Sequence, residues 1–350
     1  MAPNLTKNEQ LVLYGLTKYP EKNDSTIAEI LNLKLSTYTS IKRRLKDQDL
    51  YRTIALPLLN KLGCELFTIT HTTFNPVIPL EERIHTTTKT IEVFPEIFFS
   101  IGEQEQGFSL SLSQNYTELG RINDIRTQTF GSVGLLEDEY PNETIYPFKT
   151  SRITRFFDFT RPLNHLYSLN KPDEETPPHD EWFSATKHNL SIKEKHILST
   201  LVQYPNETTQ SIGEKINLSR HTIARMKHLF QAQGLLKYLT IPNFKKLGYT
   251  ILTVYHIKLN PQNASPKIAL SSLDTHSTIL FSRRHFEFSI ISIYSSYQEF
   301  KEDMMIKIRY LKEKNLIRTA PKIFEYPLDR SIIIKPVDFA PITKHLLTST

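Results

Sequence analysis

Thr222-Ile-Ala-Arg-Met-Lys-His-Leu-Phe-Gln-Ala-Gln-Gly-Leu-Leu, residues 222–236, carries apolar side chains at Ile223, Met226 and Phe230 and a glycine near its end. Steps of three and four line one face of a helix. Arg225, Lys227 and His228 lie off that face, and Arg220 and His221 stand just before it. Ser219 is placed to cap the helix start, and Gly234 to take a left-handed turn after its end. The same pattern recurs 185 positions earlier, where Tyr38, Ile41 and Leu45 make the apolar face. There Ser36 is the expected cap, Thr37, Ser40, Lys42, Arg43 and Arg44 face outward, and Asp49 stands where glycine is usual.

Working outward, Leu5–Pro76 lies over Leu190–Pro261 without a gap. Tyr19-Pro20 answers Tyr204-Pro205, Asn32-Leu33 answers Asn217-Leu218, and Lys61-Leu62-Gly63 answers Lys246-Leu247-Gly248. The match resumes at an offset of 180, where Tyr146-Pro147, Ser151, Ile153 and Asp158-Phe159 answer Tyr326-Pro327, Ser331, Ile333 and Asp338-Phe339. The chain reads as one unit written twice.

In each unit two further amphipathic helices precede the basic one, and Pro20 and Pro205 end the first of them. Short β-prone runs follow at 50–54 and 235–239, so each group is expected to be a winged helix-turn-helix with its own small hairpin. Beyond it, strands at 66–74 and 250–259, helices at 80–90 and 266–273, strand pairs at 97–101 with 108–112 and 278–282 with 286–293, and longer helices at 116–129 and 297–314 give the order βαββα. Final strands near Ile153 and Ile333 complete a ferredoxin-like βαββαβ sandwich. The expected fold is α+β, with winged helices at 1–63 and 189–248, ferredoxin-like domains at 64–162 and 249–345, and a polar linker at 163–188 on which Trp182 serves as an anchor.

The net charge of +6 is unevenly spread: +4 over 1–63, −10 over 64–185, +7 over 186–248 and +5 over 249–350. Both basic-helix segments are cationic, which points to a polyanion partner. A single cysteine, Cys64, excludes a disulfide framework and suits a reducing, cytoplasmic setting. No apolar run approaches the roughly 20 residues of a membrane span, so no membrane partner is expected.

The 222–236 run resembles the recognition helix of winged-helix transcription factors. Ile241-Pro-Asn-Phe-Lys-Lys-Leu-Gly-Tyr, leading into a strand, is similar to the domain junction of the Lrp/AsnC regulators. That resemblance implies double-stranded DNA as the partner, read by Ser36, Thr37, Ser40, Lys42, Arg43 and Arg44 in one half and by Ser219, Arg220, His221, Thr222, Arg225, Lys227 and His228 in the other. Phosphate contacts would set register and side chains would read bases, in grooves about 34 Å apart. The family's glycine-rich motif has a partial counterpart in Gly102 to Gly107, whereas the second half has Arg283-Arg284-His285 there. That departure argues against an amino-acid effector and leaves any small-molecule effector unidentified. The family's sheets pair to make dimers, which implies a pseudo-dimer within one chain or a homodimer of chains.

No phosphate-binding glycine loop, nucleophile elbow or metal-ligand spacing is found, so no catalysis, cofactor or metal is expected. His71 and His256, equivalent by the repeat, are expected to be structural. Two rival readings stand beside the DNA-binding regulator. One is a winged-helix scaffold that binds protein. The other is an enzyme like the siroheme decarboxylases, which resemble Lrp/AsnC proteins and occur as fused pairs; Val93-Phe94-Pro95-Glu96 and Arg283-Arg284-His285 are similar to their sequences.

Overall fold

The computed structural model describes residues 3–137, 140–172, 182, 187–263 and 272–348. Most of the expected linker and of the helix expected at 266–273 lies outside these residues. In chain order the first half runs α1 (Lys7–Lys18), α2 (Asp24–Ile30), α3 (Leu35–Asp47), β1 (Tyr51–Pro57), β2 (Leu66–Thr73), α4 (Leu80–Val93), β3 (Ile97–Gly102), β4 (Gln106–Ser113), α5 (Tyr116–Ser132), β5 (Asn142–Pro147), β6 (Arg152–Phe156) and α6 (Thr160–Leu166). The second runs α7 (Ile192–Gln203), α8 (Thr209–Lys215), α9 (Arg220–Ala232), β7 (Leu236–Pro242), β8 (Ile251–Lys258), β9 (Thr278–Arg284), β10 (Glu287–Tyr294), α10 (Tyr297–Glu313), β11 (Lys322–Pro327), β12 (Ile332–Lys335) and α11 (Ala340–Thr348). It is a mixed α+β chain with antiparallel sheets.

Helix ends explain the repeated landmarks. Thr6 with Glu9 and Ser191 with Glu194 form capping boxes, so α1 and α7 begin alike. Asn32 and Asn217 follow α2 and α8 with φ of 54° and 55°, and the next leucine N–H donates back to Ala28 and Gly213 respectively. Asparagine tolerates this left-handed turn, which is why the Asn-Leu pair recurs. Asp49 (φ 53°) and Gly234 (φ 59°) close α3 and α9 in the same way. Ser219 caps α9 by accepting from the Thr222 N–H, but Ser36 does not cap α3, whose N-cap is Lys34 without a side-chain bond.

Two compact units emerge, each assembled from three segments. One comprises Met1–Thr53, Ser151–Asp180 and Tyr238–Asp329; the other comprises Ile54–Thr150, Glu181–Lys237 and Arg330–Thr350. In the first unit, β8, β9, β10 and β11 form a sheet in the order β11-β8-β10-β9, extended at the β9 edge by β6. In the second, β5-β2-β4-β3 is extended at the β3 edge by β12.

Two expectations are corrected here. The strands near Ile153 and Ile333 do not close their own sandwiches, because β5 and β11 already fill that place; instead each adds a fifth strand to the sheet of the other half. Arg155 on β6 locks this exchange. Its guanidinium forks onto both oxygens of Asp274 at 2.9 Å and donates to Asp158 at 2.6 Å, a bidentate arrangement that fixes geometry as well as charge. The second correction concerns the wings. Neither half has its own hairpin, since β1 pairs with β7. Trp182 is 1 % exposed, and its ring stacks on Phe148 at 5.5 Å.

Candidate functional site

On α3 and α9 the residues expected to read DNA are mostly exposed: Ser36, Ser40, Arg43, Arg44, Ser219, Arg220, His221, Arg225 and His228, with Thr37, Lys42, Thr222 and Lys227 half-buried. In the first half, however, each cation has an acidic neighbour. Lys42 lies 2.6 Å from Asp24, Arg44 2.7 Å from Glu9, and Arg43 3.8 Å from Asp47. Such pairs add little stability, but they cancel the positive face that the sequence suggested.

A different cationic surface forms where β9 turns into β10. Arg284, His285, Phe286 and Glu287 line an open pocket of about 370 Å³ with Lys258 at the end of β8 and Leu259 just after it. Antiparallel register sets Glu287 opposite both Lys258 and Arg284, and Arg283 opposite Arg152 of the added strand. The same alternation brings His256 beside Glu287, with Nε2 2.6 Å from the carboxylate. Burial pushes the Glu287 carboxyl up, but the His256 hydrogen bond and the Arg284 contact more than offset it, leaving it below its usual range. The outcome is an ionised carboxylate that lines the pocket and holds the His256 imidazole behind it, beside a 42 % exposed phenylalanine, Phe286. Cations at this density receive polycarboxylates, and an exposed ring offers a flat surface to stack on.

Inside the other sheet lies a second charged group. Arg83 on α4 is fully buried over the Phe74 ring, and none of its three guanidinium nitrogens has a hydrogen bond; Arg126 on α5 is 4 % exposed with an unbonded Nε. Burial pushes both guanidinium groups down to about 10. Thr72 and Thr87 add unbonded hydroxyls to the small cavity that Arg126 lines. Sequence spacing missed two further clusters that could hold a metal, His165 with His276 and Glu299, and Glu96 with Glu118 and His345. Their members come from segments up to 249 residues apart, which no local motif reveals.

Over 97 % of its length the chain superposes on the siroheme decarboxylase NirDL, covering 99 % of that chain at 12 % identity and a TM-score of 0.52. It has the fold of NirDL. NirDL in complex with an iron-uroporphyrin III analogue matches equally, at 12 % identity, 98 % of both chains and a TM-score of 0.52. AsnC from E. coli matches 40 % of this chain and 93 % of its own, at 16 % identity and a TM-score of 0.34. No protein-family model and no curated protein matches the sequence. The expectation of a DNA-binding regulator without catalysis is corrected by these comparisons: the solved structure that matches 97 % of the chain is that of NirDL, an enzyme. Among the described residues no helix is long and apolar enough to cross a membrane.

Proposed function

We propose that this chain is a decarboxylase of a carboxylate-bearing tetrapyrrole of the siroheme type. The observation that carries the reading is the pocket at the β9–β10 turn, lined by Lys258, Arg284, Phe286 and Glu287, with His256 behind it in contact with Glu287, in a chain with the NirDL fold. Arg284 and Lys258 bind carboxylate arms, and Phe286 packs on the macrocycle. Loss of CO2 from one arm leaves its electron pair on carbon, which must then take up a proton. His256 supplies that proton, held in place by Glu287.

The same reading includes a tandem duplication that serves as its own dimer. Equal lengths support it: 12 residues in α1 and α7, 13 in α3 and α9, and 17 in α5 and α10. So does the reciprocal exchange of β6 and β12. On this reading each half is a helix-turn-helix, with β1 and β7 shared as one wing, followed by a ferredoxin-like sandwich.

The test uses the full chain with siroheme under anaerobic conditions, product mass reporting loss of CO2, and an absorbance titration with iron uroporphyrin reporting binding. Arg284→Glu should weaken binding on the order of 100-fold, the scale of reversing a close charge pair. His256→Gln should bind as before but lose turnover. No mass change with the unaltered chain, or unaltered turnover in His256→Gln, would reject the assignment.

A further inference from the structure

We infer that His165, His276 and Glu299 form a divalent transition-metal site of zinc type, which ties α6 to the start of α10. The inference does not rest on the decarboxylase reading. Its three ligands come from three segments: His165 near the end of α6, His276 in the turn before β9, and Glu299 in the first turn of α10.

Geometry is the first argument. Glu299 Oε1 lies 3.3 Å from His276 Nε2 and 3.6 Å from His165 Nε2, and the three ligand atoms all fall within 4.8 Å of one another. Donors bound tetrahedrally to zinc at its usual bond lengths stand about 3.3 Å apart. Two imidazole rings with centroids 3.8 Å apart both turn a nitrogen toward one carboxylate oxygen. Two protonated rings would repel at that separation, whereas a cation between neutral rings and an ionised carboxylate satisfies all three.

Orientation is the second. The other oxygen of Glu299, Oε2, accepts from the Ser295 N–H at 2.8 Å and from its hydroxyl at 2.7 Å, so the carboxylate is held with Oε1 facing the imidazoles. Outer contacts of this kind fix a ligand before the metal arrives. The side chains of His165 and His276 are 53 % and 40 % exposed, which leaves a fourth position for water. Three protein ligands with one open position is the set zinc takes in reactive sites. The two nitrogens exclude magnesium, which prefers oxygen donors.

Zinc is the probe, with calorimetry on the chelator-treated full chain and cobalt absorbance reporting tetrahedral coordination. One zinc should bind per chain, magnesium should not compete, and His276→Ala should weaken binding at least tenfold. His345→Ala, altering the corresponding histidine of the other half, should leave zinc affinity unchanged. Absence of saturable zinc binding, undiminished affinity in His276→Ala, or loss of the site in His345→Ala instead, would each overturn the assignment. Should His276→Ala not fold, His276→Gln replaces it and is judged by the same affinity criterion.

Discussion

The sheets of the two halves share one strand order and nearly one register, yet they bury opposite things. Leu66 opposite Ser113 corresponds to Ile251 opposite Tyr294, so the strands align position by position. Where the second half places Tyr255, Ile257, Phe288, Ile290 and Tyr294, the first places Thr70, Thr72, Gly107, Ser109 and Ser113. Over the large residues Lys307 is neutralised by Asp303, which also accepts from Tyr294 at 2.6 Å, while Lys307 donates to Thr275 at 2.9 Å. Over the small ones Arg126, the counterpart of Lys307, has no such partner within one turn. Glu143 acts on it only through space, and burial pushes that carboxyl up, toward its neutral form. At the strand turn the contrast reverses sign: Glu103 and Glu105 in one half, Arg284 and His285 in the other. The buried cation thus has a close carboxylate in one half and none among the described residues in the other, and the strand turn is acidic in one and basic in the other, so two sheets of like order differ in their chemistry.

The largest effect that would break this contrast lies in the buried cations. Lys307→Met leaves Asp303 charged and unpaired in a closed core, which should cost about 3–5 kcal/mol. Arg126→Met removes a buried guanidinium whose acidic neighbour, Glu143, acts only through space, and should cost far less or nothing. Urea unfolding of both full-length variants decides it, and similar losses from the two substitutions would mean that Arg126 is neutralised as fully as Lys307.

Acid should separate the two His–Glu clusters next. Burial pushes the Glu299 carboxyl up, but hydrogen bonds from His276 and Ser295 draw it down to about 2, from an ordinary 4.5. A depressed carboxyl stabilises the fold above its unfolded value and loses that contribution as pH falls toward the folded one, here between pH 4.5 and 2. Glu96 runs the other way. Burial raises its carboxyl, so its contribution worsens as pH rises above 4.5. In chelator, Glu299→Gln should flatten the acid limb of stability and Glu96→Gln should improve stability at neutral pH. An acid limb unchanged by Glu299→Gln would show that the two clusters titrate alike.

Much of the fold was legible because local chemistry writes helix ends plainly. Thr6 with Glu9, Ser191 with Glu194 and the Asn-Leu pairs each state a cap within a few residues. Strands 152–156 and 332–335 were legible as strands but not as visitors to another sheet, since β propensity carries no address. The basic face of α3 misled for a related reason: Asp47 sits one turn from Arg43, but Asp24 and Glu9 reach Lys42 and Arg44 from other helices. Arg126 and Lys307 did leave a signal. Each interrupts the buried stripe of its helix, Leu119-Ile122-Arg126-Phe130 and Phe300-Asp303-Lys307-Leu311, and a cation on an apolar stripe asks for a partner. His165, His276 and Glu299 left none, because only the tertiary fold brings them together.

The smallest expected effect sharpens the comparison at the strand ends. Phe148 in the first half corresponds to Leu328 in the second, and both are buried. Trp182 stacks on Phe148 with the rings 17° from parallel. Offset stacking of this kind adds about 1 kcal/mol beyond the area it buries, and an aliphatic Leu328 cannot supply it. As the chain has one tryptophan, its fluorescence reports this contact: emission should be blue-shifted and shielded from acrylamide, and Phe148→Leu, which keeps most of the apolar volume, should shift it to the red and lower the unfolding midpoint slightly. Leu328→Ala should lower the midpoint through its lost packing but leave the emission where it was. A red shift of equal size from both substitutions would mean that Trp182 senses general loosening, and the asymmetry between the two strand ends would then have no energetic content.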